Sequence, residues 1–118
     1  MNLILHIRIC KDPFNFIEPI TLEGVQYIDI DNFSDATMIA TINKAIDLSE
    51  RLLVFTQIAG QYEIGLLIKV LQKLMKFKGH RIMFHSGSHN KLDKMLKLLN
   101  SSEREFESVK VETESYFI

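Results

Sequence analysis

The sequence predicts an α/β protein whose sheet has a parallel central part with helices packed on it. Two short apolar runs, Leu52-Leu53-Val54-Phe55 and Ile82-Met83-Phe84, are each followed by a segment with apolar residues at helical spacing. Each strand-to-helix junction carries Gly among polar residues. Strands that alternate with helices build parallel neighbours, and this places both junctions at the carboxyl end of the sheet. At 118 residues the chain reads as one domain, 1–118, large enough to bury a core without staples.

At the N-terminus, Leu3, Leu5, Ile7 and Ile9 alternate with Ile4, His6, Arg8 and Cys10, which predicts a half-buried strand. Pro13 and Pro19 exclude a long helix over 11–24, so an irregular connection is expected there, with a short strand near 20–22. Residues 25–30 read as the next strand. With no helix between these two strands, the expectation is an antiparallel pair and hence a mixed sheet. Ser34 is the expected N-cap of a helix over 35–48, whose inward stripe is Ile39, Ile42 and Ile46. After the strand at 52–55, the stripe of the second helix is Ile64, Leu67, Ile68, Leu71, Leu74 and Met75, with Gly79 as its C-terminal cap. Residues 81–84 form a strand, Ser88 caps a third helix, and Leu92, Met95, Leu96 and Leu99 are its buried face. Residues 106–111 are expected to add a final strand. The expected order is therefore β-β-α-β-α-β-α-β.

Hydrophobic residues at 47% and charged residues at 25% are ordinary for a soluble globular protein, which excludes the disordered class. One cysteine, Cys10, excludes an internal disulfide framework and any Cys-based zinc site within one chain. His6 and Arg8 interrupt the N-terminal apolar stretch, and no apolar run approaches the roughly 18 residues of a membrane span. A cytoplasmic protein without a membrane span is the expectation. Charge is segregated: between residues 69 and 97 eight basic residues face one acid, Asp93, in an otherwise acidic chain of net charge −1. Such a zone attracts acidic partners or phosphate, and it equally serves to solvate the outer faces of two helices.

The first junction is Gly60-Gln61-Tyr62-Glu63-Ile64-Gly65. A helix start at the end of a parallel strand is a common meeting point for ligands and partners. Two glycines five apart without a following Lys-Ser or Lys-Thr do not make a phosphate loop. Structurally, Gly60 serves the turn, Glu63 the helix dipole and Gly65 close packing. The second junction is His85-Ser86-Gly87-Ser88-His89-Asn90. Two imidazoles four apart with hydroxyls between them offer groups for a metal or a phosphate. They lie in a loop with no nearby carboxylate or thiol, however, and Ser88 and Asn90 are equally explained as helix-start residues. No metal site and no cofactor motif is read elsewhere. Cys10 has only Arg8 and Lys11 as activating neighbours, which is weak support for a nucleophile.

Leu52-Leu53-Val54-Phe55-Thr56, Tyr62-Glu63-Ile64-Gly65-Leu66 and Lys78-Gly79-His80-Arg81-Ile82 together resemble the STAS domain, the module of sulfate transporters and bacterial anti-sigma-factor antagonists. The first of these looks like the family's central strand. The second falls where family members carry an Asp-Ser-Ser-Gly-Leu type motif, of which Gly65 and Leu66 survive. In the antagonists, phosphorylation of the first serine of that motif switches binding off. Here that position is Glu63, so the resemblance implies a module that is not switched by serine phosphorylation at that spot. Glu63 carries about one negative charge where a phosphoserine carries nearly two.

The leading functional expectation is a non-catalytic regulatory module that docks a protein partner around residues 60–66, with Gln61, Tyr62 and Glu63 as first contacts beside Gly60 and Gly65. The alternative is a small-ligand or enzymatic site at the carboxyl ends of the strands, using His85, Ser86, Ser88 and His89 together with Tyr62 and Glu63. Lysines at 69, 73 and 76 share a helix face, but no aromatic residues interleave with them, which counts against nucleic acid. A free edge at 3–9 would let the N-terminal strand pair with a second copy.

Overall fold

The structure is a computed structural model and describes residues 1–12 and 19–118. Every residue of the first strand, β1 (Asn2–Ile9), is buried after Asn2. A strand apolar on both faces belongs in the middle of a sheet covered on both sides, and β1 sits there. It pairs with β2 (Val25–Asp31) on one side and with β3 (Arg51–Ile58) on the other. Beyond β3 lie β4 (His80–Ser86) and the two-residue β5 (Ser102–Glu103), in the order β2-β1-β3-β4-β5. All four ladders are parallel.

The expected antiparallel pairing of the first two strands is thus corrected. Asn2 stands opposite Val25 and Arg8 opposite Asp31, so residues 10–24 carry the chain back to the start of the sheet. Parallel neighbours need a crossover of a dozen or more residues, and 10–24 is long enough to supply one. Of that connection, 13–18, including Pro13, lie outside the described residues. Its end is a turn with Gly24 at φ +78°, where the only trace of the expected strand at 20–22 is an isolated bridge from Leu22 to Val25. The expected free edge at 3–9 is corrected by the same pairing: β1 has neighbours on both sides, and the edge strands of the sheet are β2 and β5.

Alternate residues of the strands feed two cores. On one face Leu3, Leu5, Ile7, Ile9, Leu52, Val54 and Met83 meet α1 (Ala36–Asp47), α2 (Leu67–Lys76) and α3 (Asp93–Leu98). Ile39, Ile42 and Ile46 are the buried stripe of α1, as the spacing predicts. Each such side chain contributes about 1.5–3 kcal/mol on full burial. Lys73 and Asp47 join α2 to α1 at 2.6 Å, a half-exposed pair of small energetic weight. On the other face Ile4, Leu53, Phe55 and Phe84 meet Ile20 and, among the described residues, one helix, α4 (Phe106–Phe117).

The segment expected as a final strand is therefore a helix. Phe106, Val109, Thr113 and Tyr116 recur at three- and four-residue spacing and turn to the sheet, while Val111 points to solvent. The caps also shift. Asp35 rather than Ser34 caps α1, accepting from the Met38 N–H at 2.9 Å. Helix α2 starts at Leu67 and ends at Lys76, with Phe77 extended. Gly79 is not in the left-handed region and instead leaves room for the Phe77 ring. Ser88 stands five residues ahead of α3 and supports its first residue, Asp93, by a side-chain hydrogen bond.

The α4 face carries a buried polar group, His6, stacked at 5.6 Å on the Phe106 ring and 5.2 Å from Phe55. Its Nε2–H donates to Gln57 Oε1 at 3.0 Å, and its Nδ1 accepts from the Tyr27 hydroxyl at 2.7 Å. Burial lowers the imidazole pKa below its ordinary 6.5, against a smaller upward pull from the Gln57 hydrogen bond. The unfolded chain then binds more protons than the folded one between the lowered value and 6.5. Stability is full above 6.5 and falls as the pH drops through this window. Thermal melts from neutral pH downward should show this loss, and His6→Gln should flatten that part of the profile. Equal slopes for both proteins would remove His6 as its source.

Candidate functional site

Because all strands run parallel, the junctions after β3 and β4 meet at the carboxyl end of the sheet beside the ends of β1 and β2. Two glycines set their paths. Gly65 has φ +62°, and a Cβ there would collide with the carbonyl oxygen of Asn32 at the end of β2. Gly87 has φ +82°, and a Cβ there would collide with the carbonyl oxygen of Ile58 at the end of β3. Each junction thus crosses the backbone of a neighbouring strand end at a residue that only glycine fills without strain.

Side chains then fasten the two junctions together. Gln61 donates from Nε2 to the Ser88 carbonyl at 2.8 Å and accepts at Oε1 from the Asn90 N–H at 2.9 Å. His89, buried, accepts at Nδ1 from the Lys91 N–H at 3.1 Å, so its Nε2–H donates to the Tyr62 carbonyl at 2.7 Å. Asp93 accepts from the Ser88 hydroxyl and from the His89 N–H. These two hydrogen bonds, the Ser88 one foremost, hold its carboxyl below the usual carboxylate range.

The residues expected to bind a partner are all brought together, but with different tasks. Gln61 is a fastener and Gly65 a backbone requirement. Gly60 is not in the left-handed region; a Cβ there would come within 2.9 Å of the Tyr62 ring, so its bare backbone is the bed on which that ring lies. Tyr62, 37% exposed, and the exposed Glu63 are what the loop presents. Both lie ahead of α2, so Glu63 is a loop residue and not part of the helix start.

The second group does not converge. His85 shares its sheet face with Met83, and Ser86 shares the opposite face with Phe84, since β4 alternates. His89 has both ring nitrogens engaged in fastening the loops. His85 and Ser88 do line a common cavity of about 350 Å³, whose other walls come from α3 and β5 and include neither Tyr62 nor Glu63. Among the described residues no three His, Cys, Asp or Glu side chains come together in a way that could hold a metal ion. Cys10 is buried; burial pushes its thiol up, and its Sγ lies 3.6 Å from Asn32 Oδ1.

Several residues at this end were not singled out by the sequence. Phe33, 54% exposed, follows the Asn32 carbonyl that Gly65 faces, so the turn after β2 lies against the Tyr62 loop. The available signal was an aromatic residue set between Asn32 and Ser34 at a strand end. Ser101 and Glu103 join His85 and Lys97, a member of the basic zone, around the cavity, and only the fold brings them there. No described helix is long and apolar enough to cross a membrane.

Two predictions test this construction. Gly65→Ala should cost about 1–3 kcal/mol in urea unfolding. Gly24→Ala should cost less, because it has a left-handed φ as well but open space around it. His89→Ala leaves the Tyr62 carbonyl and Lys91 N–H unpartnered, a loss of about 1–3 kcal/mol. Hydrogen exchange should then quicken at the amides of Asn90 and Lys91.

Compared with protein-family models, with curated proteins and with solved structures, the chain matches none.

Proposed function

We propose that this chain is a non-catalytic, STAS-like regulatory module that docks a protein partner through the loop 60–66. The observation that carries this reading is the way Tyr62 is presented. Its ring lies over Gly60, its carbonyl is held by buried His89, and the residue before it is tied at two points to the neighbouring loop. An aromatic side chain already held in place loses little freedom on binding, which is what makes tyrosine a frequent interface anchor. Glu63 stands exposed beside it and would set the charge preference of the surface. On the STAS-like alignment Glu63 occupies the place of the phosphorylated serine, so the interface would carry a permanent single charge there. The exposed rings of Phe33 and Tyr62 at one end of the sheet support the same placement.

The second reading, a small-ligand or enzymatic site using His85, is favoured by the cavity of about 350 Å³ beside that histidine. Its volume is at the lower end of the range of small-molecule sites. In this reading Ser88 remains at the wall, whereas Ser86 and His89 do not take part.

Retention of proteins from lysate of the source cells by immobilised wild type and Glu63→Lys separates the readings. A partner held by wild type should be weakened about tenfold or more by the charge reversal, with the melting temperature nearly unchanged. Equal retention by both proteins would remove the loop as the docking surface.

A further inference from the structure

The cavity beside His85 is lined by charges of both signs. It opens between the carboxyl end of β4, helix α3 and the short β5, at the edge where the sheet narrows to a two-residue ladder. The His85 ring is oriented by a hydrogen bond of 2.7 Å between its Nδ1 and the Ser101 hydroxyl, and its Nε2 has no partner among the described residues. Leu96, buried, supplies an apolar wall. Lys97 and Glu103 both line the space, yet among the described residues neither takes part in an ion pair, with each other or with any other group. Asp93 lies on the same wall with both carboxylate oxygens already accepting hydrogen bonds.

We propose that this cavity binds a small zwitterion of the α-amino-acid class. The proposal rests on the reading of His85 as part of a small-ligand site and adds the chemistry of the ligand. Opposite charges that line one cavity without pairing are complementary to a molecule that carries both signs a short distance apart. The ligand carboxylate lies toward Lys97 Nζ and the free His85 nitrogen, and its ammonium toward Glu103. Leu96 meets a short side chain. Phosphate is the natural competitor, since Lys97, His85, Ser88 and Ser101 could all serve it. Two carboxylates, Asp93 and Glu103, stand against a single ammonium, and they repel a dianion. A purely apolar ligand would leave both charges unanswered.

The test is an amide-resolved NMR titration of the full chain with glycine, L-alanine and L-serine. Acetate, methylamine and inorganic phosphate serve as the separated chemistries. A saturable shift confined to the amides of His85, Lys97, Ser101 and Glu103 with an amino acid is expected. Acetate and methylamine alone should bind at least about tenfold more weakly. Lys97→Gln and Glu103→Gln, both at exposed positions, should each weaken the amino acid by about tenfold while leaving the rest of the spectrum in place. Saturation by phosphate or acetate instead would overturn the zwitterion assignment and keep the small-ligand reading. No shift with any of the six probes would overturn both.

Discussion

The parallel pairing of β1 with strands on both sides is the constraint from which the rest follows. It buries β1 on two faces, which requires helices on one and α4 on the other. It also sends every β3-to-α2 and β4-to-α3 turn to one end of the sheet, where loops distant in sequence must share space. Gly65 against Asn32 and Gly87 against Ile58 are the consequence: backbone passes backbone too closely for any Cβ. An antiparallel β1–β2 pair would have put the end of β2 at the other end of the sheet, and Asn32 could not have met the Tyr62 loop.

The sheet face under α4 is apolar only in part. Beyond Phe106 the face turns polar, with His6, Arg8, Tyr27, Asp29 and Gln57 across three strands. Arg8 is buried against Asp29 at 3.4 Å and Asp31 at 3.8 Å, and its Nε finds no partner among the described residues. A buried ion pair of such loose geometry does not stabilise much beyond the desolvation it costs. Burial also pushes the Tyr27 hydroxyl up to about 12, so it keeps its proton and donates to His6 while that ring is neutral. Stability on this face comes chiefly from the buried aliphatic and aromatic side chains around Phe55.

What was legible in the sequence was periodicity, and what was not was everything that depends on the path between elements. The stripe Ile39, Ile42, Ile46 and the runs at 52–55 and 82–84 are local patterns, and each takes the form its spacing implies. The direction of β2 is not local. It depends on the path of 10–24, which no local pattern records. Val109 and Val111 alternate well enough to read as a strand, but Phe106, Val109, Thr113 and Tyr116 carry a longer helical repeat that outweighs them. At the candidate site, Gln61 and His89 were visible as polar loop residues. Their task is set by partners 27 and 29 positions away, which no spacing rule contains.

That shared fastening decides how the two functional readings can be told apart. Asp93 lines the cavity and holds Ser88 and His89, and His89 holds the Tyr62 carbonyl; one chain of hydrogen bonds supports both surfaces. A substitution anywhere in that chain would disturb the cavity wall and the docking loop together, whichever of them is used. Gln61 is no better, because both ends of its amide are committed to the neighbouring loop. Only side chains that face outward and hold nothing carry independent information. Tyr62 and Glu63 report on the loop surface, and Lys97 and Glu103 on the cavity. Neither pair contributes a side chain to the fastening, so a change at one pair leaves the support of the other intact.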